Sequence, residues 1–134
     1  HALGINNELP KATSSYLPQP YFHDMASIYA SADLLITRSG AVTCSELASL
    51  GKYSILIPLP HGNGEQFDNA AALVAQGSAM MVANDDFSSK WLDQNLSKAL
   101  INAANYQPKS IGSNSKSAMK IAELAQALLK ERAE

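Results

Sequence analysis

Short apolar runs alternate along the chain with longer segments whose apolar residues recur every third or fourth position. DLLIT at 33–37, YSILIPLP at 53–60 and AMMVAN at 79–84 are continuously apolar and bounded by turn residues, so they predict buried strands. YLPQPYF at 16–22 is aromatic and broken by proline, which predicts an edge-like strand running into a turn. The segment 23–32 carries Met25, Ile28 and Tyr29 at helical spacing and predicts a short helix. Further helices are predicted over 41–51, 65–77 and 88–104. Gly51 and Gly77 suit the left-handed residue after a helix, and serine opens the segment at 88 as a cap. Beyond the linker YQPKSIGSNS, residues 116–132 set Met119, Ala122, Leu124, Ala125, Leu128 and Leu129 along one helical stripe. Residues 1–15 are polar and predict a loop holding at most one helical turn.

Strands that are apolar throughout and alternate with helices predict an α/β fold: a Rossmann-like parallel sheet with helices on both faces. About four strands are expected, half of a doubly wound sheet, with one edge left uncovered. The chain opens HALGINNELPK without a Met. Together these features lead us to expect a fragment, 1–134, that lacks preceding sheet.

Composition narrows the classes. The chain has 134 residues, 46% of them hydrophobic, which suits one domain with a real core. Charged residues are 16% and the net charge is -2, so no basic field points to nucleic acid. A single cysteine, Cys44, excludes a disulfide framework and a cysteine-rich zinc site. His1, His23 and His61 lack a metal-ligand spacing. No run approaches the roughly 18 apolar residues of a membrane span.

Ligands of open α/β sheets bind at the carboxyl ends of the strands. Three loops emerge there, Tyr21–Asp24, Arg38–Ala41 and Pro60–Gln66, and the candidate residues lie in or beside them. Ser39, Gly40 and Ala41 precede a helix, whose free amides and dipole favour an anion; a tight turn with Ser39 as N-cap is the plainer reading. Glu46 carries two acceptor oxygens that suit ribose hydroxyls, yet Thr43 and Glu46 also match a capping box. HGNGEQ at 61–66 joins a glycine-rich loop to Glu65 and Gln66, which suit sugar hydroxyls; Asn63 as a cap with Gln66 reaching back is the alternative, and Asn69 would brace the loop. Tyr21, Phe22 and Met25 offer a surface for a flat base, or core. Arg38 is open to a phosphate or to an ion pair.

The ordered series YFHDM, ADLLITRSGAVTCSELASLGK, ILIPLPHGNGEQFDNAAAL and SSKWL resembles the C-terminal, donor-binding domain of the MurG family, over roughly residues 16–131. Those enzymes are the N-acetylglucosaminyltransferases that make peptidoglycan lipid II. The resemblance implies the C-terminal half of a GT-B glycosyltransferase. Its donor would be UDP-N-acetylglucosamine and its acceptor lipid I, an undecaprenyl-pyrophosphate MurNAc-pentapeptide. Transfer would invert the anomeric carbon with no bound metal and no cofactor. The full-length enzyme would sit peripherally on the cytoplasmic face of the bacterial plasma membrane.

By resemblance, Ser39, Gly40, Ala41, Val42 and Thr43 match the diphosphate-facing segment and Glu46 the ribose-binding glutamate. Gln66 matches a glutamine on the GlcNAc hydroxyls. Glu65 stands where other members carry a second glutamine, and Tyr53 where proline is usual. Phe22 falls at the uracil edge and Met25 beside the base. The family's glycine-rich loop and acceptor domain would lie before His1, and the general base with them. The chain alone is therefore expected to be inactive. Two other readings stand beside this one: the donor-binding module of a two-subunit glycosyltransferase, and a nucleotide-sugar epimerase of the same fold.

Overall fold

In a computed structural model of the protein, residues 1–108 and 123 are described. The predicted linker beyond 108 and, apart from Glu123, the helix at 116–132 lie outside these residues. The chain forms two compact units, one spanning His1–Ala32 and one beginning at Asp33.

In the second unit β1 (Leu35–Thr37), β2 (Ser54–Leu56) and β3 (Ala79–Met81) form a parallel sheet in the order β1-β2-β3. Ile36, Ile55 and Met80 lie in register across it. Parallel neighbours need a crossover, supplied here by α1 (Ala41–Leu50) between β1 and β2 and by α2 (Glu65–Ala75) between β2 and β3. Because the strand order advances in one direction, right-handed crossovers place both helices on one face. The helix α3 (Ser89–Asn105) covers the other. Side chains on β2 sort accordingly. Ile55 and Ile57 cluster with Val82 and with Trp91, Leu92 and Ala99 of α3. Leu56, fully buried between them in sequence, points to the opposite face. There α1 contributes Cys44 and Leu47 and α2 contributes Ala70 and Leu73, buried pairs three residues apart.

The helix ends obey the sequence signals. Gly51 adopts φ 61° and ψ 36°. Its N–H donates to Ala48 O and the N–H of Lys52 to Leu47 O, which closes a Schellman motif. Gly77, at φ 75°, repeats the pattern: its N–H reaches Val74 O, and the N–H of Ser78 reaches Leu73 O. Each motif turns the chain straight into the next strand. Ser88 caps α3, its hydroxyl accepting from Trp91 N at 3.2 Å.

Three expectations are corrected. Among the described residues the segment 16–22 forms no strand, and its only strand-like pairing there is a bridge between Ala2 and Gln19. Pro18 and Pro20 lack the N–H groups a ladder requires. The sheet therefore has three strands among the described residues, not four. The strand expected over 53–60 pairs only through Ser54–Leu56, although burial continues to Pro58. Residues 1–15 form the expected loop, with one hydrogen-bonded turn from Gly4 to Asn7. No described helix is long and apolar enough to cross a membrane.

A Cβ at position 51 would take left-handed backbone and lie 2.7 Å from Pro108 Cβ. Gly51→Ala should lower stability by roughly 1–3 kcal/mol in denaturant unfolding.

Candidate functional site

The carboxyl ends of the three strands lie on one edge, and β1 runs there through Arg38 and Ser39 into α1. Gly40 is the N-cap, extended at φ −62° and ψ 151°, with no side-chain cap bond. The first intrahelical bond joins Cys44 N to Gly40 O at 2.9 Å. The amides of Ala41, Val42 and Thr43 therefore precede the hydrogen-bonded ladder, at the positive end of the helix dipole. No acidic residue stands in that first turn to neutralise it. A Cβ at Gly40 would meet nothing within 4 Å, so the turn opens onto free space.

With the helix starting at Ala41, Thr43 is its third residue. It cannot be an N-cap, so the capping-box reading of Thr43 and Glu46 falls. Glu46 instead sits half-buried in the second turn, one turn along from Val42. Ala41, Val42, Ser45, Glu46 and Ser49 line one shallow depression along this face. Cys44 lies on the opposite, buried face, where desolvation raises its thiol pKa.

Ser39 is not the cap either. Its side chain is fully buried, and its hydroxyl donates to Gln66 O at 2.8 Å. Asn69 answers from the same helix, its Nδ2 donating to Ser39 O at 3.1 Å. Gln66 Oε1 accepts from Leu59 N at 3.1 Å, which fixes the start of the 59–64 loop. Asn63 caps nothing: the N-cap of α2 is Gly64, left-handed at φ 79°. Glu65 is exposed at the first position of α2. The fold thus joins the candidate diphosphate turn to the candidate sugar loop through Ser39, Gln66 and Asn69.

Arg38 straps the same edge. Its Nη1 donates to Ile57 O at 3.1 Å and to Asn84 Oδ1 at 2.8 Å, tying the ends of β1 and β2 to the turn after β3. Asn84 Nδ2 then donates to Asp85 Oδ1. Asn84 and the Leu59 amide carry no signal in sequence, since only strand adjacency brings them to Arg38 and Gln66.

Residues 2–125 match the glycosyltransferase family 28 C-terminal domain. The chain belongs to this family. It is 41% identical over 123 residues to the UDP-N-acetylglucosamine–N-acetylmuramyl-(pentapeptide) pyrophosphoryl-undecaprenol N-acetylglucosamine transferase of Corynebacterium diphtheriae, covering 92% of this chain and 34% of that protein. It is 52% identical over 85 residues to the transferase of the same name from Cutibacterium acnes, covering 63% and 22%. The crystal structure of Acinetobacter baumannii MurG superposes with a TM-score of 0.68 at 28% identity, over 83% of this chain and 33% of that one. The chain thus spans about a third or less of the length of these relatives.

As a member of glycosyltransferase family 28, the chain carries its remaining candidate residues in the first unit. There a short helix over Met25–Ser31 starts at the N-cap Asp24, whose carboxylate accepts from Ser27 N at 3.0 Å and from the Ser27 hydroxyl. Phe22 is half-buried just before this cap, and Met25 is the first helical residue. Tyr21 is exposed and packs edge-on against His23 at 5.2 Å.

The Ser27 hydroxyl, then the Ser27 amide, hold the Asp24 carboxyl below its ordinary pKa of 3.8. The unfolded chain therefore binds the proton more readily, and the cap's contribution is present above pH 3.8 and lost as pH falls through the folded value. Amide exchange in Met25–Ser31, read at pH 6 and pH 3 and corrected for intrinsic rates, should lose protection at the lower pH. Asp24→Asn should flatten that difference.

Proposed function

We propose that this chain is the donor-binding domain, 1–134, of a glycosyltransferase that moves N-acetylglucosamine from UDP-N-acetylglucosamine to lipid I with inversion, forming lipid II for peptidoglycan. The parent enzyme would act at the cytoplasmic face of the plasma membrane, with the acceptor held by a domain outside this chain. One observation carries the reading. In a chain 41% identical over 92% of its length to a transferase named for this reaction, the amide end of α1 opens uncapped at the carboxyl end of β1, with Glu46 one turn along the same face.

The residues divide the work by chemistry. The amides of Ala41, Val42 and Thr43 and the helix dipole would hold the diphosphate and stabilise the negative charge that grows on UDP as the glycosidic bond breaks. Gly40, with open space where a side chain would stand, lets a phosphate oxygen reach the backbone. Ser39 contributes by position, because its hydroxyl is spent on Gln66 O. Glu46 would accept both ribose hydroxyls. Gln66, its Oε1 turned to Leu59 N, would offer Nε2 donors to the sugar, and Glu65 would accept from a sugar hydroxyl. These groups orient the donor; none performs proton transfer.

Titration of the labelled chain with UDP-N-acetylglucosamine and with UDP, followed by backbone amide shifts, tests this. Shifts should concentrate at Gly40, Ala41, Val42, Glu46 and Gln66. Their absence at millimolar ligand overturns the reading. Glu46→Ala should weaken UDP binding roughly ten- to hundredfold, as its hydrogen bonds to both ribose hydroxyls are lost, while the domain stays folded.

A further inference from the structure

Ser39 and α2 are joined by two hydrogen bonds that run in opposite senses. The serine side chain donates to the helix backbone, and a helix side chain donates to the serine backbone. Because Ser39 O can only accept, the Asn69 group that faces it must be the Nδ2 amide. This bond has a geometric consequence at the next residue. The Ser39–Gly40 peptide is planar and trans, so its carbonyl and its N–H point in opposite directions. With Ser39 O held toward α2, Gly40 N–H is aimed away from it. That N–H donates to no group among the described residues, and the Cβ position of the same residue faces open space.

We propose that Asn69 is a positioning residue for the diphosphate of a bound nucleotide: by holding Ser39 O against α2 it orients the 39–40 peptide so that Gly40 N–H faces the ligand beside the Ala41 and Val42 amides. The inference rests on the donor-site reading above. It adds a fourth amide to the three at the helix start, and it assigns that amide's direction to a side chain thirty residues beyond Ser39. The need for an external hold is physical. At φ −62° and ψ 151° glycine is in a broad, populated basin and lacks a Cβ that would resist rotation of the preceding peptide. Ser39 Oγ anchors its own side chain but does not touch the carbonyl that sets the peptide plane. Asn69 does.

The test is the labelled full chain titrated with uridine and with UDP, unsubstituted and as Asn69→Asp. Aspartate keeps the shape of asparagine but replaces the donor with a carboxylate facing a carbonyl. UDP affinity should fall roughly ten- to hundredfold, the weight of a hydrogen bond to a charged group, with uridine affinity unchanged. The Gly40 amide shift that UDP induces should disappear. Thermal unfolding monitors the fold; if Asn69→Asp does not fold, Asn69→Ala removes the donor without the repulsion and carries the same expectation. Equal loss for uridine and UDP would assign Asn69 a purely structural role and overturn the proposal. So would UDP affinity and a Gly40 shift that match the unsubstituted chain. Failure of the unsubstituted chain to bind UDP would overturn the donor-site reading and this proposal together, which separates the two cases.

Discussion

The strand β2 is buried on both faces, and a parallel strand so placed can be reached only by crossovers that return along the outside of the sheet. The same requirement sends every strand in one direction. Their carboxyl ends therefore share one edge, and the turns at Ser39, at the 59–64 loop and at Asn84 are forced into proximity there. Helix α1 begins at that edge because it must follow β1 without a long connection. Its amide terminus is thus delivered to the site by the packing of the core, with Cys44 and Leu47 holding the opposite side of the helix in the apolar layer.

A parallel sheet delivers loops to one edge but does not fix their backbones. That role falls to polar groups that are themselves buried or half-buried. Ser39, fully enclosed, would destabilise the fold if its hydroxyl had no partner, so its bond to Gln66 O both satisfies it and ties α2 to the β1 turn. Gln66 extends the tie to Leu59. Arg38 bridges the ends of β1 and β2 to the turn after β3. The outcome is a rigid rim around a helix terminus with no side-chain cap. An uncapped amide end is a poor way to finish a helix and a good way to receive an anion, and the surrounding hydrogen bonds let the fold keep it open.

Much of this was legible from residue order. Continuous apolar runs marked the three strands, helical spacing marked the crossovers, and Gly51, Gly77 and Ser88 marked the helix limits. The failures have two causes. YLPQPYF has the apolar character of a strand, but its prolines cannot donate to a ladder, and the composition rule outweighed the hydrogen-bond rule. Ser39 looked like an N-cap because serine before a helix usually is one, and Thr43 with Glu46 looked like a capping box. Both readings depended on where the helix starts, and a shift of one or two residues decides that.

The sequence by itself determined the α/β class, the helix endings and the family, because periodicity, turn chemistry and an ordered set of motifs are local properties that survive without coordinates. Only the tertiary structure decided that Ser39 is buried, that Gln66 and Asn69 grip the β1 turn, and that Arg38 spans the strand ends to Asn84. Those contacts join residues 19 to 46 positions apart. Nothing in a one-dimensional pattern selects such partners; strand order and register do, by bringing the ends of neighbouring strands within the length of a side chain.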